Sequence, residues 1–209
     1  MAKMFRSFWL AFLRQKWPVC LIILSVFALG LAAGFSGVHK LQNDQTQELN
    51  LTLEHFLQQA GLLEIEASKA MKGIFYNNIF LVLAVYLLGL TVIGIPIMLA
   101  IIFMRGFALG FAIEFLTREK SVQGIILTLA AIFPQNAIMV PALLIAGMAS
   151  LSFALLLAKR FNNSKISVWP GFVIYSGLMV LILVCFAGAG LVEVYLTPLL
   201  VKITVNYVL

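Results

Sequence analysis

Apolar residues in this chain come in long runs rather than in alternation with polar ones. Val19–Val38 and Phe172–Val192 each hold about twenty residues without a single charge. A helix needs about 20 mostly apolar residues to cross a bilayer core of about 30 Å. A helix on the surface of a soluble protein would instead return a polar residue at every turn. Ile79–Met104 is a further apolar block, interrupted at Gly94-Ile95-Pro96. Proline inside a span removes a backbone bond and bends the helix. Arg105 follows, and then an apolar run from Gly106 to Thr117 that ends at Arg118-Glu119-Lys120. As a helix this run measures only about 18 Å, too short to cross alone. Val122–Ala158 is apolar again, broken at Phe133-Pro134-Gln135-Asn136 and at Pro141. Short helical pieces around polar breaks imply discontinuous helices buried against others, because unpaired backbone cannot face lipid. The pattern predicts an all-α fold, a polytopic transmembrane helical bundle with broken or re-entrant helices. Between Arg105 and Lys159 it admits two full crossings or one re-entrant element.

Two polar regions flank the first span. Residues 1–17 carry Lys3, Arg6, Arg14 and Lys16 among apolar residues at helical spacing, the signature of a basic amphipathic helix on an anionic leaflet. Pro18 ends it. A cleaved signal peptide would have a shorter apolar run. Residues 39–73 are net acidic, and Leu49, Leu53, Phe56 and Leu63 belong to a heptad stripe within them. Such a stripe forms one apolar helical face, suited to covering the spans or to docking an exterior partner. The chain therefore divides into the basic N-terminus with the first span at 1–38, an exterior amphipathic helical segment at 39–73, and a transmembrane core at 74–209. That core has about four further membrane segments and a short exterior tail. Lys and Arg concentrate in the N-terminal segment and at Lys159, Arg160 and Lys165. Positive loops stay in the cytoplasm, so the N-terminus is expected there and the C-terminus outside.

Composition sharpens this picture. The chain of 209 residues is 63% hydrophobic and 11% charged, whereas a soluble domain carries roughly a quarter charged residues. Net charge is +6, but no nucleic-acid motif accompanies it, and cytoplasmic Lys and Arg account for it. The lipid bilayer is the expected environment, with no nucleic-acid partner. Cys20 and Cys185 lie in separate apolar spans and are read as buried free thiols. His39 and His55 lack partners at metal-ligand spacing, and no nucleophile has a base nearby. No enzyme, cofactor or metal is expected. The polar residues that stand out in the core are Arg105, Glu114, Gln135 and Asn136. Charged groups in lipid are costly and usually functional. Arg105 reads as a helix-end arginine reaching the cytoplasmic headgroups, with an ion-path role as the alternative, and a pair with Glu114 across a kink stays open. Gln135 and Asn136 can satisfy the backbone groups freed beside Pro134, or form a solute or ion site at a broken helix. Gly106 and Gly110 allow close helix approach.

The stretch Gly89-Leu-Thr-Val-Ile-Gly94-Ile-Pro96, with Arg105-Gly106-Phe-Ala-Leu-Gly110-Phe, resembles the stage II sporulation protein M family. So do Phe133-Pro134-Gln135-Asn136, Val140-Pro141-Ala142 and Tyr195-Leu-Thr-Pro198, in the same order. Gln135 stands where the wider family often has histidine, which aligns the chain with the spore-forming branch. The resemblance implies a non-enzymatic membrane scaffold for peptidoglycan hydrolases, similar to stage II sporulation proteins D and P. Those partners act in septal wall thinning, engulfment and membrane migration during sporulation. The alternative function is a small-solute or ion transporter or channel with its site at Pro134-Gln135-Asn136.

Overall fold

The computed structural model describes residues 17–41, 46, 48–49, 51–52, 67–162, 167–197, 199–200 and 203. Five helices make up the body: α1 (Trp17–Val38), α2 (Ala67–Gly89), α3 (Gly94–Ala131), α4 (Phe133–Asn162) and α5 (Trp169–Leu191). A π-helical turn, Val192–Leu196, continues α5. Among the described residues there is no strand. Four helical segments are long and apolar enough to cross a membrane: Trp17–Val38, Gly94–Arg118, Phe133–Phe161 and Trp169–Leu196. The shorter apolar stretch Phe75–Gly89 accompanies them.

Proline marks where these helices begin. Pro18, Pro96, Pro134 and Pro170 each fall in the first turn of a helix. There the missing N–H would have had no helical partner anyway. The Gly94-Ile95-Pro96 interruption is accordingly a reversal rather than a bend. α2 ends at Gly89, residues 90–93 turn the chain, and α3 sets off again. The turn closes with Leu90 N–H on the Leu87 carbonyl and Thr91 N–H on that of Leu88. Thr91 Oγ1 accepts the Gly94 N–H at 3.1 Å, which gives one of the unpaired first N–H groups of the new helix a partner. Gly94 lies so close to the Leu88 carbonyl that no Cβ fits there. Pro141, expected to be a second break, remains inside α4. It is exposed, so its ring faces outward, and the helix continues through it.

α1 and α3 lie side by side, pointing the same way, and form the most extensive helix pair. α1 buries Val19, Ile23, Phe27, Gly30, Gly34 and Val38, steps of three and four that keep one stripe inward. Gly30 and Gly34 rest on the backbone of Phe103 and Phe107, while Gly106 and Gly110 rest on that of Phe27 and Leu31. Contact is thus backbone to backbone, as in small-xxx-small pairs. Gly106–Thr117, short by itself, is simply the later portion of the Gly94–Arg118 span. Past it the chain doubles back. Gly124 abuts the Leu116 carbonyl, although eight residues of straight helix would hold them about 12 Å apart. The return then runs through 124–131, a break at Ile132, and α4.

The core joins all five helices, with Ile23, Val85, Ile102, Ala146 and Phe186 nearly inaccessible. Its outer face carries many large apolar side chains. Leu21, Leu29, Phe80, Leu87, Met104, Val180 and Leu181 are all exposed. An apolar surface of that extent would not be tolerated in water and is what lipid requires. Helix pairing sets the relative directions. Gln135 near Glu193 and Ser150 near Tyr175 make α4 and α5 antiparallel. The beginnings of α1, α3 and α5 and the Lys159–Arg160 end of α4 therefore share one end of the bundle.

Candidate functional site

Two polar regions lie inside the bundle. The first gathers at the end of α2. The last four carbonyls of a helix have no partner in it. The turn takes care of Leu87 and Leu88, which leaves those of Tyr86 and Gly89. The Tyr175 hydroxyl stands 2.9 Å from the Tyr86 carbonyl and 2.9 Å from Ser150 Oγ. The Ser150 hydroxyl donates to the Val85 carbonyl at 3.0 Å. Tyr86 and Ser176 join their hydroxyls at 3.0 Å. The Tyr175 ring stacks between Phe153 and Tyr86, with centroids at 4.9 and 5.3 Å. Every hydroxyl here has a partner, and the group ties α2, α4 and α5 together.

The second region is a cavity of about 220 Å³ toward the opposite end of the bundle. Gln135 precedes Ser150 by fifteen positions along α4, roughly 22 Å of helix. The cavity's polar lining is Asn77, Asn78, Arg105, Gln135, Asn136 and Glu193, over an apolar floor that includes Met139 and Phe186. α2 supplies the two asparagines, α3 the arginine, α4 the two amides of its first turn, and the π-helical turn the glutamate. The π turn inserts one residue into the helical repeat, which re-aims Glu193; such turns recur at functional sites.

Within the cavity the hydrogen bonding is uneven. The Asn136 amide Nδ2 donates to the Ile132 carbonyl at 2.8 Å, on the same acceptor as its own backbone N–H at 3.4 Å. It closes the break between α3 and α4. The acceptors around Gln135 set its amide orientation: its nitrogen donates to both Glu193 oxygens, at 3.2 and 2.9 Å. Asn78 is only 3% exposed, yet its Nδ2 has no partner. Arg105 and Glu193 interact electrostatically. Among the described residues, however, the one side-chain pair at ion-pair distance is His39 with Glu114, at 3.7 Å.

Several expectations change. Arg105 does not stand at a helix end reaching for headgroups. It sits well inside α3, eleven residues past Gly94, because the chain reverses at 90–93 and not at Arg105. Its acidic counterpart is Glu193, not Glu114, which faces His39 at the far end of α1. Pro134, Gln135 and Asn136 share the first turn of α4, whereas Pro141 lies further along it and outside the cavity lining. Gly106 and Gly110 lie in the α1–α3 seam, away from this site. Leu49 is described as helical and half-buried, while Leu53, Phe56 and Leu63 lie outside the described residues, as does the basic segment 1–16.

Sequence reasoning missed Asn77, Asn78 and Glu193. Their signals were present: two adjacent amides opening an apolar helix, and a lone acid with apolar residues resuming beyond it at Val194-Tyr195-Leu196. It also missed Gly30 and Gly34, which repeat the four-residue spacing of Gly106 and Gly110.

A helical body sheathed in exposed apolar side chains, with four segments long and apolar enough to cross a membrane, defines a multi-pass membrane protein. A family model described as stage II sporulation protein M matches residues 23–198. The match covers most of the chain, from the first turns of α1 to the residues just past the π-helical turn, and the chain belongs to that family. No curated protein and no solved structure matches it.

Proposed function

We propose that the chain is a non-catalytic scaffold in the cytoplasmic membrane that holds peptidoglycan hydrolases at the sporulation septum and engulfing membrane. The family match carries this reading, since it spans both the membrane body and the polar segment after α1. The N-terminus and the Lys159–Arg160 end of α4 face the cytoplasm in this proposal, by the charge rule, and the C-terminus faces outside. Residues 39–73 then lie on the wall side, and the apolar face of Leu49, Leu53, Phe56 and Leu63 positions the hydrolases. The test is recovery of wall hydrolases with the tagged full-length chain from membranes of sporulating cells that lack their own copy. Burying a Leu or Phe is worth roughly 1.5–3 kcal/mol. Leu53→Asp with Phe56→Asp should therefore remove the hydrolases at unchanged protein level. Equal recovery from this variant, or none from the parent chain, would refute the scaffold.

A second reading, passage of a small solute, is favoured by the cavity around Arg105 and Glu193. It predicts flux of a solute into proteoliposomes that depends on Glu193, with no need of any hydrolase.

A further inference from the structure

Opposite charges in a low-dielectric interior attract strongly, and a charged pair buried in lipid gains most by direct contact. Arg105 and Glu193 line one cavity and sense each other, yet they are not at ion-pair distance. Two further observations describe the space between them. Gln135 takes up part of the Glu193 carboxylate, leaving acceptor capacity on a group with a full negative charge. On the other side, the free groups are donors: the guanidinium, and the Nδ2 of Asn78, buried and without a partner. A buried unpaired donor bears the full desolvation cost of the group, and its retention here is explained by something that accepts from it.

We propose that this cavity binds a small neutral zwitterion bearing a carboxylate and an ammonium group. The carboxylate accepts from Arg105 and Asn78, and the ammonium donates to Glu193. Charge balance disfavours a lone ion, and a zwitterion is the neutral species that also offers each charged group an opposite partner. A bare anion would leave the cavity net negative beside Glu193, a bare cation would leave it net positive beside Arg105, and each excess charge is costly in the membrane. A zwitterion pairs both groups and leaves the net charge at zero. A volume of about 220 Å³ is well above the roughly 10–15 Å³ that one water needs on the same measure, and admits a solute of several heavy atoms. The proposal shares with the transport reading the assumption that the cavity is a site, but it requires no movement of solute across the membrane.

The experiment is thermal unfolding of the purified full chain in nanodiscs with glycine, β-alanine or 4-aminobutyrate, whose two charges stand progressively further apart. Acetate and methylammonium at equal ionic strength are the comparison. A ligand bound only by the folded state raises the midpoint. At least one zwitterion should raise it by a few degrees, while the two single-charge probes should not. Arg105→Gln and Asn78→Leu should each weaken the effect at least tenfold. Asn78→Leu is the safer variant, because it deletes an unpartnered group and leaves the parent fold intact. No shift with any zwitterion, an equal shift with acetate or methylammonium, or full binding by Asn78→Leu would each overturn the proposal. Flux measured separately in proteoliposomes shows whether transport fails while binding stands.

Discussion

The Tyr175 hydroxyl and the Arg105 guanidinium are both polar groups inside the same bundle, and their surroundings differ in kind. Tyr175 meets the Tyr86 carbonyl, one that the turn after α2 leaves over, with Ser150 beside it and aromatic rings on both faces. Arg105 lines open volume together with the unpartnered Asn78, and it is not at ion-pair distance from Glu193. Lipid offers no hydrogen bonds, so a polar group in a bundle must find its partners within the protein or in what the protein binds. Tyr175 and its neighbours take the first course and act as a lock. The Arg105 cavity is left incomplete, and that incompleteness is the observation on which the proposed ligand site rests.

This contrast fixes the expected order of mutational effects. The largest belongs to Gly89→Val, because a Cβ at Gly89 would collide with the Tyr175 hydroxyl and Ser150. Overpacking typically costs 1–3 kcal/mol, and here it also displaces the lock. A loss of about 3 kcal/mol in reversible unfolding in mixed micelles is expected, with little protein retained in the membrane. Normal accumulation of this variant would show that the α2 end is not tightly held.

Tyr175→Phe comes next. It keeps the stacked rings and strands the Tyr86 carbonyl, for about 1–2 kcal/mol. Hydrogen exchange should rise selectively at the 90–93 turn. Unchanged exchange there would mean that the hydroxyl is dispensable.

Gln135→Ala frees the Glu193 carboxylate from its amide partner and opens the cavity further. Bonds of this kind inside membranes are worth about 0.6–2 kcal/mol, so the expected loss is about 1 kcal/mol with insertion intact. Limited proteolysis in nanodiscs reads it. A collapse as severe as that of Gly89→Val would move Gln135 from the site into the lock.

The smallest effect should come from Asn78→Leu, and its sign is the sharpest part of the comparison. Replacing an unpartnered buried amide with an apolar side chain of similar size should be neutral or slightly stabilising, by about 0.5 kcal/mol. A loss above about 1 kcal/mol in the same unfolding assay would assign Asn78 a structural partner and remove the distinction between the two regions.

Much of this was legible from the chain alone, for reasons that can be named. A run such as Val19–Val38 has one stable place, across lipid, whatever it packs against. Prolines at 18 and 134 announced helix boundaries because the constraint on φ and the missing N–H are properties of the residue itself. The spacing of Gly106 and Gly110 announced a close helix contact for an equally local reason. Tertiary structure alone decided which residues meet. Nothing local distinguishes a proline that kinks a span from one that starts a new helix after a reversal. The Arg105 reading failed on that ambiguity: once the chain turns at 90–93, Arg105 moves from a helix end to the bundle interior. Glu193 joins it from a position 88 residues away in sequence, brought there by the antiparallel return of α5 and the phase shift of the π turn. Apolar periodicity can tell a helix which solvent it lives in, but it carries no information about the pairing of helices that are apolar on every side. In lipid that pairing is set by close backbone approach at glycines and by polar groups with nowhere else to bond, and both are properties of the assembled bundle.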